Sequence, residues 1–293
     1  MLQDSESSIT IKEEVEKRCD EMIDIILSEL HFSSIWNGGI FLFTLFGAII
    51  YLFMLPNGKN HTIWKSIVFL VGLAITFLAI GSPLNIVARI QFSRHILQLI
   101  LLLLLAPPLL IIGFKTEVLK NVASKPFLQK MCDLLTRPSL TFTLFFILLY
   151  AVHMPFLFDA VRMDIYTNYF YMLGLFIVAL LFWIPLISEK KLNIKQKTIY
   201  AGASMVVFIP LSIFFYVAKT SLYTVYSDLS YFIQSLEACF PANKSLPPEY
   251  YEMLIPSSPV HEQQLGAMFL LIGQIVIFGL TLGIPLIRKR ISR

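Results

Sequence analysis

The sequence predicts an all-α membrane protein: a seven-transmembrane-helix bundle with a short N-terminal amphipathic helix. Three observations predict it. Of the 293 residues, 57% are hydrophobic and only 14% charged, and the mean hydropathy is +0.74. A water-soluble domain of this length cannot hide that much apolar surface. The apolar residues also gather into seven segments, near 36–55, 64–84, 95–114, 139–158, 169–187, 198–218 and 266–287. Each is about the ~20 residues that cross a bilayer as a helix. Finally, Trp36, Tyr51, Trp64, Tyr150, Tyr200 and Tyr216 lie near segment ends, where amphipathic rings settle among lipid headgroups.

Residues 1–33 read as an acidic amphipathic arm. Ile11, Val15, Cys19, Met22, Ile26 and Leu30 recur at helical spacing, opposite Glu13, Glu14, Asp20 and Asp24. That acidity disfavours docking to anionic lipid. The opening MLQDSESS lacks the basic start and apolar core of a cleavable signal peptide. Residues 34–293 form the membrane domain.

Its orientation follows from Lys and Arg. One set of connections carries Lys115, Lys120, Lys125, Lys130 and Arg137, then Lys190, Lys191, Lys195 and Lys197, with Arg288, Lys289, Arg290 and Arg293 in the tail. The opposite set is poorer, which places the N-terminus outside and the C-terminus in the cytoplasm. The last outer connection, about 220–264, is long and rich in Tyr, Ser and Pro, as lids and spacers are. Cys19 and Cys239 share the outer side in this topology, which leaves a disulfide between them open. Pro107-Pro108, Pro155, Pro185, Pro210 and Pro285 predict kinked helices whose freed carbonyls need other partners.

The chemistry-bearing residues collect at the outer ends of the spans. His95 opens the third segment with Gln98 one turn deeper, His153 and Met154 lie near the end of the fourth, and Met172 is early in the fifth. Glu262, Gln263 and Gln264 lead into the seventh, with Met268 just inside. Imidazole and thioether together suit copper, thioether favouring Cu(I). Each residue also has a plainer reading. A histidine at a helix mouth more often bonds a neighbour, methionine fills core gaps, and glutamine joins helices in lipid.

Other function classes fare worse. The chain has no GxSxG, no HExxH and no phosphate-binding glycine loop, so nothing marks an enzyme. No basic run interleaves with aromatics, so nucleic acid is not a partner. The cysteines show no CxxC spacing. A copper or small-solute transporter would need polar groups through the midplane, where few stand beyond Gln274 and Ser204. A haem-binding membrane protein using His95 and His153 is a further alternative.

Several stretches resemble one family. SPL (Ser82–Leu84), FSRHILQ (Phe92–Gln98) and APPLLIIG (Ala106–Gly113) resemble the signature of CtaG, multi-spanning cytochrome c oxidase assembly factors of the caa-type group. HMPFLFD (His153–Asp159), LLFWIPL (Leu180–Leu186) and EQQLGAMF (Glu262–Phe269) continue the resemblance in order. It covers roughly residues 34–290. It implies a bacterial cell-membrane protein that contacts lipid and a haem-copper oxidase subunit and aids copper delivery to the oxidase. The residues this brings forward are His95, His153, Met154 and Met172 as metal ligands, with Gln98, Asp159, Glu262 and Gln263 as polar groups of the outer face. The chain departs from the family's pattern at Leu99 and near Met172, where many members carry histidine, and at Glu262, usually aspartate.

Overall fold

A computed structural model describes residues 28, 32–58, 61–188, 191–240 and 245–291. The predicted N-terminal amphipathic helix, including Cys19, lies outside the described residues, and Cys239, its suggested disulfide partner, is a free thiol. Every regular element described is helical: α1 (Gly38–Met54), α2 (Ile63–Gly81), α3 (Leu84–Ile90), α4 (Phe92–Gly113), α5 (Thr116–Ala123), α6 (Pro126–Leu135), α7 (Pro138–Val152), α8 (Pro155–Met163), α9 (Ile165–Ile187), α10 (Ile194–Val217), α11 (Leu229–Glu237), α12 (Pro248–Leu254) and α13 (Pro259–Ile291). Single turns at Phe32–Ile35 and Thr224–Tyr226 join them.

Each of the seven predicted segments overlaps a helix, yet fewer helices have the length of a span. Five helices are long and apolar enough: α2, α4, α9, α10 and α13 as far as Gly283. A sixth arises if α6 and α7, bent by 53°, count as one, while α1 is shorter than a full crossing. The predicted fourth segment does not run to residue 158. It stops at Val152, because Pro155 has no N–H and its ring clashes with the preceding turn. Pro155 instead takes the first position of α8, where neither defect matters.

The long connection at 220–264 is no open loop. It folds into the Thr224–Tyr226 turn, α11 and α12, and the last helix begins at Pro259, not 266. Phe232, Leu236, Leu246, Tyr251 and Leu254 from this region pack on Ile35, Ile86 and Ile90. The result is a cap over one pole of the bundle. Inside it the Tyr251 hydroxyl donates to Glu237 Oε1 at 2.6 Å. Burial, and next the carboxylate, push that phenol up to about 12.

Helix α4 is the centre of the molecule, packed against α2, α9 and α13. Pro107 has no N–H to offer the Leu103 carbonyl four residues back. The buried Trp183 of α9 supplies one instead, its Nε1 donating to Leu103 O at 2.9 Å. Trp183 also stacks on Phe278 of α13, while Phe145 of α7 stacks on Phe182. One aromatic cluster thus joins the helices, by packing that replaces the hydrophobic driving force lipid removes.

Close helix approach depends on small residues. A Cβ at Gly113 would lie 2.5 Å from Phe69 N and 2.6 Å from Lys65 O. Both are backbone atoms, so α2 and α4 would have to part. Gly113→Ala is therefore expected to cost about 1–3 kcal/mol, read as a lowered unfolding temperature in detergent. Gly174, whose Cβ would meet nothing within 4 Å, is the control: Gly174→Ala should be neutral or stabilising.

Candidate functional site

The site is built at the capped pole, where α4 begins. The first turn of a helix leaves N–H groups unpaired and carries partial positive charge. Glu262 of α13 answers this at α4: its Oε2 accepts from Ser93 N at 3.3 Å and from Ser93 Oγ. Next to it Gln263 reaches across to the cap, Oε1 accepting from Leu222 N at 2.6 Å and Nε2 donating to Thr220 O at 3.3 Å. Asp159 of α8 accepts from Thr224 N at 3.0 Å and Val225 N at 3.2 Å. Gln263 and Asp159 thus clamp the cap to the bundle, while Glu262 ties α13 to the start of α4. Gln98 joins helices, Nε2 donating to Ala79 O at 2.7 Å and Asn85 Oδ1 at 3.0 Å.

Below that clamp two imidazoles face one another. His95 lies in the first turn of α4, and its ring centroid is 6.0 Å from that of His153. His153 occupies the turn that Pro155 forces after α7. Phe158 closes edge-on against His95 at 5.2 Å, and both histidines are buried. His153 Nδ1 lies 2.6 Å from Leu149 O. A carbonyl only accepts, so Nδ1 carries the proton, and a neutral ring then has its lone pair on Nε2. That Nε2 and both nitrogens of His95 are buried without a hydrogen-bond partner. Orphaned polar atoms at this depth are rare and costly.

Met172 of α9 is buried and shares with His95 a cavity of about 10 Å³, also lined by Arg162, Asn168 and Tyr171. A second cavity of similar size is lined by His153 among aliphatic and phenylalanine side chains. Leu99, one turn below His95, borders both cavities. Met154 is not brought to this place. Its side chain is 54% exposed, because the turn that buries His153 sends its neighbour outward. Met268 is likewise exposed. Among the described residues no three of His, Cys, Asp and Glu converge as metal ligands, and Met172 shares its cavity with His95 but not with His153.

Two buried arginines at this pole, Arg89 and Arg162, belong to the connections that are poorer in Lys and Arg. Arg89 Nη1 donates to Arg162 O at 2.8 Å and to Ser235 O at 2.7 Å. Arg162 Nη2 donates to Ala88 O and, at 2.9 Å, to the Tyr226 hydroxyl. Ala88, Arg162 and Ser235 lie in the last turns of α3, α8 and α11. The two guanidiniums thus cap three helix C-termini at once, where carbonyls are unpaired and the helix dipole is negative. Apolar neighbours of each (Ile86 and Ile90; Phe158 and Val161) are the only sequence signal of their burial.

These features define a multi-pass helical membrane protein with a buried imidazole pair beneath a folded cap. More narrowly, the model of the Caa3_CtaG family, the cytochrome c oxidase caa3 assembly factors, matches residues 45–290, and the chain belongs to that family. No curated protein and no solved structure matches it.

Proposed function

We propose that this assembly factor works at its capped pole, receiving a cuprous ion between His95, His153 and Met172 and passing it to an oxidase subunit. The observation that carries the reading is the pair of facing imidazoles with unpaired buried nitrogens. Two neutral imidazoles and a thioether form a soft, uncharged ligand set, which favours Cu(I) over harder cations. Imidazole nitrogen sits about 2 Å from such a metal, so rings 6.0 Å apart are close enough to share one ion. So few ligands allow release as well as capture. Copper here is cargo, and the protein acts by binding, not by catalysis.

In this reading the seven apolar segments all cross a bacterial cell membrane, with the N-terminus and the cap outside and the C-terminus in the cytoplasm. The excess of Lys and Arg in the opposite connections supports that orientation. Haem is a poor fit, because the space beside His95 holds about one water, not a macrocycle. Mild solubilisation tests the partner: an oxidase subunit should copurify with the protein, and its absence would refute the assembly contact.

Leu99 offers a gain-of-function test. It borders both cavities one helical turn below His95. Leu99→His should add a third imidazole to the pair and raise cuprous affinity by about tenfold or more, measured by competition with a chromogenic chelator.

A further inference from the structure

The pole opposite the cap carries a helical hairpin, α5 and α6, reached where α4 ends and left where α7 begins. It is barely packed against the rest of the protein. Every residue of α6 except Leu128 is exposed, and α6 has only 10 residues. Helices this short are marginal in water unless tertiary packing covers an apolar face. Here the face exists without a cover: Phe127, Met131, Leu134 and Leu135 recur at helical spacing, with Phe127 77% exposed. Leu119 of α5 is exposed as well.

Two observations say what lies against that face. Helix α6 continues into the apolar α7 through a 53° bend, so its C-terminal end stands where the chain enters the bilayer. Lys125, Lys130 and Arg137 surround the stripe, with Lys120 beside it paired to Glu117 of α5 at 3.0 Å. Asp133, the one acidic residue of α6, is bound to Lys191 at 2.6 Å. Such charges are too costly for the hydrocarbon interior and well suited to phosphate headgroups.

We infer that the α5–α6 hairpin lies in the plane of the membrane as an interfacial anchor, its apolar stripe among acyl chains and its lysines on anionic lipid headgroups. Amphipathic helices of this kind sink about 5–10 Å below the headgroups. Lipid contributes the hydrophobic contact that the protein does not.

The test places nitroxides singly at residues 127, 129, 130, 131 and 134, in full-length protein with Cys19, Cys132 and Cys239 replaced by serine. The protein is held in nanodiscs of phosphatidylcholine, with or without phosphatidylglycerol. Labels at 127, 131 and 134 should be relaxed by oxygen, and those at 129 and 130 by a water-soluble nickel chelate. Phosphatidylglycerol should be enriched severalfold around wild-type protein, and a Lys120→Gln, Lys125→Gln, Lys130→Gln variant should lose that enrichment. Chelate access at all five positions would overturn the inference. So would lipid burial that ignores phosphatidylglycerol, or shielding of the stripe only when oxidase is added.

Discussion

His95→Ala and His153→Ala should each lower cuprous affinity by about a hundredfold or more, and the double variant should lose little beyond either one. Each imidazole supplies a buried nitrogen with no other partner, so no neighbour can take its place. With few ligands the site works as a unit, and the loss of one makes the second loss nearly redundant. A cavity left in the core also costs stability. Leu99→Ala, which empties a similar space without removing nitrogen, separates the two effects. It should be less stable and keep its copper. Met172→Leu should weaken binding less, since it removes one soft ligand while preserving volume. Titration against a cuprous chelator measures all of these. Equal affinity in wild type and both alanine variants would reduce the histidines to core residues.

Arg162→Met is expected to unfasten the cap. The arginine donates to Ala88 O and to the Tyr226 hydroxyl, and its own carbonyl accepts from Arg89. Methionine keeps the apolar stem but takes the donor from the buried Tyr226 hydroxyl and leaves Ala88 O with that hydroxyl alone. An orphaned buried group costs about 1–3 kcal/mol, and a loss in that range is expected. Arg162→Lys should recover only part of it, because an ammonium lacks the planar fork that reaches several acceptors. The readout is local: limited proteolysis should cut within 220–258 many times faster, while the aromatic cluster around Trp183 stays protected. Unchanged cleavage would show that Asp159 and Gln263 hold the cap by themselves.

Much of the bundle was legible because lipid imposes a simple rule: long apolar runs with no charge. His95 and Met172 stood out for the same reason, as polar or soft groups in apolar surroundings, and they do line one cavity. The errors share a cause too. Hydropathy alone ran the fourth segment through Pro155, although that proline has no N–H to continue the helix. It also missed the first two turns of α13, since Glu262, Gln263 and Gln264 are polar residues that favour a helix yet bond to Ser93, Leu222 and Tyr216 instead of facing lipid. The cap hid because its apolar residues are few and spaced over short helices, too brief for a periodic signal. Arg89 and Arg162 hid for a subtler reason. A lone arginine in a connection looks solvated, and only the convergence of three helix ends makes it a buried keystone. That convergence is tertiary.

On this proposal the imidazole pair under the cap is the working site of an oxidase assembly factor. The most direct measurement is the copper content and activity of the oxidase in membranes of cells carrying His95→Ala/His153→Ala, with the variant present at wild-type level. The account predicts an oxidase that keeps its haem, is short of copper and runs at about a tenth of normal activity or less. A fully coppered, fully active oxidase in those membranes would contradict it.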